Sequence, residues 1–176
     1  MAAARQQALP PDVVREAKHR ILDTLAAMIS GARLKPGEMA TRFARAQGGT
    51  PDASIVTTDI RTSVINAALV NAMFAHADET DDFEPVTKAH PGCSAVPAAL
   101  AVGERENATG AELIRAVVLG YDLGCRWLQA LGPNHVRATH RSAEGVSATM
   151  GAIEAAAATA PIVALTPSAL RCVART

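Results

Sequence analysis

Pro10 and Pro11 stand where a first helical turn begins, and behind them Val14, Ala17, Ile21, Leu22, Leu25 and Ile29 recur at spacings of three and four until Gly31. That rhythm draws one apolar stripe along an α-helix and fits no strand, whose faces alternate every second residue. Proline is tolerated in a first helical turn and glycine commonly follows a last one. The pattern predicts a helix over residues 11–30. Similar signals recur downstream: a shorter helix from about Pro36 to Ala46 closed by Gly48-Gly49, a helix capped by Ser63 and running to about Ala77, and one capped by Ser94 and running to about Arg105. Thr109 with Glu112 forms a capping box that opens a long helix to about Leu131, with Gly120 and Gly124 on one face where a neighbour can approach closely. A further helix over about 143–159 ends before Pro161, and Thr166-Pro167 starts another. Residues 53–58, ASIVTT, are the one convincing extended run, and a single short strand makes no sheet. The fold class expected is all-α.

Composition narrows the function. The 176 residues amount to about one domain, and 49% hydrophobic content is enough for a core. With 3% aromatics that core must be built from Ala, Val and Leu, so the helices pack closely on one another, on a partner subunit or on further parts of the same chain. No repeat of fixed period and no low-complexity linker divides residues 1–176 into two domains. Seventeen basic residues balance seventeen acidic ones, which leaves no bulk electrostatic case for nucleic acid or an anionic membrane and favours a small-molecule partner. Cys93, Cys125 and Cys172 are odd in number and show no CxxC spacing, arguing against a disulfide framework and a structural zinc site. Residues 1–12 lack the apolar stretch of a signal peptide, and charged residues or prolines interrupt every apolar run before membrane-spanning length. A soluble, cytoplasmic protein is expected.

The chemistry concentrates in residues 76–92, HADETDDFEPVTKAHPG. Asp78, Glu79, Asp81, Asp82 and Glu84 place five carboxylates within seven residues, bracketed by His76 and His90. Crowded carboxylates raise one another's pKa and imidazoles titrate near neutrality, so such a stretch can supply a general acid and a general base, and it can equally bind a metal. His90-Pro91-Gly92 falls just before a helix, whose unpaired N–H groups offer a natural pocket for a substrate carboxylate. Charge runs between helices are also common as plain solvated surface, and His76 alone reads better as a structural histidine. A second cluster, His135, Arg137, His140, Arg141 and Ser142, precedes the Ala-rich helix. Arginine engages a carboxylate through two parallel hydrogen bonds, so this segment either holds a polyacid or pairs with the acidic loop.

The chain resembles the MmgE/PrpD family, which includes 2-methylcitrate dehydratase, cis-aconitate decarboxylase and iminodisuccinate epimerase. The resemblance runs through LPPDVVREAKHRILDTLAAMISG (9–31), NAALVNAMFAHADETDD (66–82), HPGCSAVPAALAVGE (90–104), GAELIRAVVLGYDLGCRW (110–127) and SATMGAIEAAAATA (147–160). It implies an all-helical domain and an acid/base enzyme on small di- or tricarboxylates that needs no redox cofactor and no metal, homodimeric when complete. Glu79 matches the family's catalytic carboxylate, Asp81 and Asp82 its acidic pair, and His90 its active-site histidine. Arg141 and Ser142, with His140 close by, match the substrate-binding segment. Phe83 stands where many members carry a small residue or Thr, and Glu144 where relatives often show His. Members are well over twice as long, with a lid domain that contributes a lysine, whereas the lysines here are Lys18, Lys35 and Lys88. The chain therefore reads as the N-terminal portion of that helical domain, a truncated product. Two other readings compete. Asp78 to Asp82 also fits the aspartate-rich pattern by which helical isoprenoid synthases hold magnesium against a diphosphate, and the apolar faces suit a non-catalytic helical interaction module.

Overall fold

A computed structural model describes residues 8–86, 88–132 and 155–162. Five labelled helices follow one another: α1 (Pro11–Gly31), α2 (Lys35–Gln47), α3 (Val64–His76), α4 (Gly92–Glu106) and α5 (Gly110–Leu131), with a ribbon of β1 (Ala53–Ser54) and β2 (Arg61–Thr62) between α2 and α3. Residues 155–159 are also helical, and the turn at 160–162 leads through Pro161. The all-helical expectation holds. No helix among the described residues is long and apolar enough to cross a membrane.

Local chemistry explains most of the boundaries. Pro11 occupies the start of α1, and Gly48, left-handed at φ 62°, ends α2. Ser63 caps α3 by accepting the Asn66 N–H, and the Thr109–Glu112 capping box is formed in both directions at the start of α5. Ser94 does not cap α4. The helix begins two residues earlier, at Gly92, and the Ser94 hydroxyl donates back to the Pro91 carbonyl.

The extended run at 53–58 is shorter than its β-rich composition predicts. Only Ala53 and Ser54 pair, antiparallel with Thr62 and Arg61, because a turn at Thr57 (φ 66°) folds the chain back and lets Ile55 N–H donate to the Ile60 carbonyl. The buried side chain of Asn71 on α3 completes the pairing, donating to the Ser54 carbonyl and accepting from the Val56 N–H. A partner strand thus exists where the sequence offered none.

The core joins Met28 of α1, Val70 and Phe74 of α3, Val96 and Ala99 of α4, Ala116 and Val117 of α5, and Ala158. Burying a side chain such as Phe74 or Met28 contributes about 1.5–3 kcal/mol. α3 is central, packed against α1, α2 and α4. Alanine allows close approach, and glycine more so: a Cβ on Gly31 would lie 1.9 Å from the carbonyl oxygen of Phe74. Gly120 and Gly124 are buried on α5. Two residues of the predicted α1 stripe, Leu22 and Ile29, face outward, 67% and 51% exposed. On α3, Ile65, Leu69 and Met73 form a second exposed apolar row at helical spacing. Through these packings the end of α3 and the beginning of α4 are fixed side by side.

Candidate active site

Fifteen positions separate His76, the last residue of α3, from Gly92, the first of α4, and the loop between them is tied across its own neck. The Glu84 N–H donates to the Ala89 carbonyl at 2.8 Å and the Lys88 N–H to the Glu84 carbonyl at 2.9 Å, with Lys88 left-handed at φ 65°. This closure returns His90 to the end of α3, where its ring lies edge-on to His76 with centroids 5.0 Å apart. Phe83 covers His90 from another side at 5.8 Å, and the Lys88 ammonium sits 4.9 Å above the Phe83 ring.

Asp81 lies between the two imidazoles. Its carboxylate is fully buried, with His76 Nδ1 at 3.1 Å from Oδ2 and 3.2 Å from Oδ1. His90 Nδ1 lies 3.4 Å from Oδ1, within ion-pair distance, but makes no hydrogen bond. A buried carboxylate is costly unless partners compensate it, and imidazoles can do so by hydrogen bonding or, when protonated, by charge. His76, read from sequence as structural, is therefore the nearest partner of the buried acid. Its signal was a histidine five residues before Asp81 at a helix end.

Asp82 turns the other way. Oδ1 accepts the Gly92 N–H at 2.8 Å and Oδ2 accepts the Tyr121 hydroxyl at 2.8 Å, with the Arg20 guanidinium 3.9 Å away. Burial pushes the Asp82 carboxyl above its usual range, against the pull of the Tyr121 and Gly92 bonds and of Arg20. Burial, followed by the neighbouring Asp82 charge, holds the Tyr121 hydroxyl far above its ordinary value. Gly92 is required here because a Cβ would lie 2.6 Å from Asp82 Oδ1, 2.6 Å from Thr24 Oγ1 and 2.8 Å from the Tyr121 oxygen. The start of α4 is thus capped from within the protein. The expectation that its N–H groups stand open as a carboxylate receptor is corrected at Gly92, whose amide Asp82 already holds. Tyr121 lies in the 110–127 segment that carries the family resemblance, but only packing reveals it as a partner of Asp82.

The remaining acids have separate roles. Asp78 accepts from the Ser30 hydroxyl and, at 2.8 Å, from the Thr80 hydroxyl, and these bonds lower its pKa, the Ser30 bond most. Glu84 Oε1 accepts the Val86 N–H. Glu79 is exposed and left-handed, φ 54°, outside the cluster of His76, Asp81 and His90. Asp78, Asp81 and Asp82 therefore point to different partners and form no common wall for a magnesium diphosphate, contrary to the aspartate-rich reading. His140, Arg141 and Ser142 lie outside the described residues, as does most of the helix expected over 143–159.

The fold and loop define a helical domain that carries a buried acid between two imidazoles. The family model described as the MmgE/PrpD N-terminal domain matches residues 1–172, and the chain belongs to the MmgE/PrpD family. Among curated proteins it is similar to cis-aconitate decarboxylase of Aspergillus terreus, 25% identical over 167 residues, covering 92% of this chain and 34% of that protein. It is also similar to the cis-aconitate decarboxylase-like protein oryM of Aspergillus oryzae (strain ATCC 42149 / RIB 40), 26% identical over 125 residues, covering 67% of this chain and 26% of the relative. The chain thus spans about a third or less of the length of these relatives.

Proposed function

We propose that this chain carries the acid–base part of a lyase acting on small di- or tricarboxylates, by dehydration or decarboxylation. The observation that supports it most is the pairing of His90 with the buried Asp81, in a family whose similar curated members include a cis-aconitate decarboxylase. Loss of water beta to a carboxylate, or of carbon dioxide from an unsaturated acid, needs a proton moved at carbon and an enolate-like intermediate stabilised. Asp81 Oδ1 lies 3.4 Å from Nδ1 of His90, within ion-pair distance, which leaves Nε2 as the atom to exchange a proton. Glu79, on the exposed rim of the loop, is the second proton-transfer group. Asp82 acts indirectly, fixing the start of α4 and with it the backbone beside His90. Arg141, Ser142 and His140 are assigned to the substrate carboxylate by resemblance to the family.

The test is turnover of cis-aconitate, citrate and 2-methylcitrate by residues 1–176, beside Glu79→Gln and His90→Asn. Imidazole NMR signals are recorded in parallel with each acid. The His90 signals are expected to shift with substrate, and any turnover that residues 1–176 support is expected to be lost in both variants. A folded chain that neither turns over these acids nor shifts those signals would overturn the proposal.

A further inference from the structure

The His76, Asp81 and His90 cluster also has the donor set of a transition-metal site, and we infer that it binds a divalent ion of the Zn2+ class. The binding goes beyond the lyase reading and does not depend on it; only its effect on turnover rests on that reading. Two imidazoles and one carboxylate suit Zn2+ or Co2+, whereas magnesium prefers an all-oxygen shell.

Geometry points the same way. With metal–ligand bonds of about 2.0–2.1 Å, the ligands of a tetrahedral ion lie roughly 3.3–3.4 Å apart. His76 Nδ1 and His90 Nδ1 stand 3.1 Å and 3.4 Å from oxygens of the same Asp81 carboxylate, and one ligand atom from each of the three residues lies within 4.8 Å of the others. His90 Nδ1 is buried and has no hydrogen-bond partner. Leaving such an atom unsatisfied costs about 1–3 kcal/mol, and an ion on its lone pair removes that cost. A neutral His76 gives the buried Asp81 a hydrogen bond but no opposite charge, which a cation supplies. The cluster is not sealed: the His76 side chain is 31% exposed and that of His90 17%, so a coordination position can open toward solvent.

An ion held there occupies His90 and Asp81 together, the pair assigned above to proton transfer. It would therefore act as an inhibitor of acid–base chemistry and not as its cofactor.

The experiment is a Co2+ titration of residues 1–176 followed by visible absorption, which separates nitrogen and oxygen ligation from thiolate ligation by the three cysteines, with Zn2+ as competitor. One equivalent bound through nitrogen and oxygen is expected. His76→Gln and His90→Gln should each weaken it by more than the roughly 10- to 100-fold that loss of an outer-shell partner costs, while His19→Gln, on the exposed surface of α1, should not. Imidazole 15N spectra of the unsubstituted protein cover the case of a variant that fails to fold: Zn2+ should shift Nδ1 of His76 and His90. Absence of stoichiometric binding, thiolate bands, affinity unchanged in both variants, or unshifted imidazoles would each overturn the inference.

Discussion

Asp82 caps α4 across a gap of ten residues, its Oδ1 accepting the Gly92 N–H at 2.8 Å while Oδ2 holds the Tyr121 hydroxyl of α5. One carboxylate therefore joins the loop between α3 and α4 to two helices. Its truncation in Asp82→Ala leaves a helix N–H and a buried hydroxyl without an acceptor. A loss of about 2–4 kcal/mol is expected. Urea denaturation measures it, and an unchanged midpoint would show that the cap contributes nothing.

The same carboxyl sets a pH dependence. Its folded pKa is raised, chiefly by burial, so the folded state binds the proton more tightly than the unfolded one. The corresponding stability is present below the unfolded value of about 3.9 and is lost as pH rises through the folded pKa. Asp82→Asn does not titrate. The melting temperature of this variant relative to the unsubstituted protein should therefore climb as pH rises from about 4 toward neutrality. Asp78, whose pKa is lowered chiefly by Ser30, contributes stability lost in the opposite direction, as pH falls, but it does so in both proteins and cancels in the difference. A difference that is flat with pH would refute the assignment.

Gly92→Ala should cost about 1–3 kcal/mol, the usual penalty for overpacking, since its Cβ would meet Asp82, Thr24 and Tyr121 at 2.6–2.8 Å. Gly110→Ala is the control. An added Cβ there meets nothing within 4 Å, and a gain of about 0.4–1 kcal/mol is expected. Thermal melts of the two variants should move in opposite directions.

Glu79 holds a left-handed backbone at φ 54°, which disfavours any residue but glycine. Glu79→Gly should leave stability unchanged or raise it by up to about 1 kcal/mol, after the entropy glycine loses is set against the strain it relieves. If Glu79 transfers protons as proposed, the variant is at once stable and inactive. Retained turnover beside an unaltered melt would remove Glu79 from the mechanism.

What could be read from the sequence was what is local in the chain. Pro11, Ser63, the Thr109–Glu112 pair and Gly48 act on residues within a turn of themselves, and the helix limits they imply agree with the structure to within one or two residues. The start of α4 was misplaced because its cap comes from Asp82, while Ser94 merely looks like a cap at short range. The second strand was missed because a buried amide on α3, Asn71, completes the pairing. Within the site, Asp81 and His90 were legible as types and do come together. The place of His76 beside them was not, since it depends on a loop closing across Glu84 and Ala89, and neither was Tyr121, which arrives from α5.

That closure has a consequence for how such a loop can change over time. Because the Glu84–Ala89 bridge closes the chain between Asp81 and His90, the spacing of that pair is set at the neck, and Lys88 of the tip reaches it through the Phe83 ring that faces His90. Substitutions at the tip other than at Lys88 can alter what the loop meets while the neck holds Asp81 and His90 in place. The neck thus separates the paired side chains from an adjustable face, and selection can work on the second while leaving the first in place.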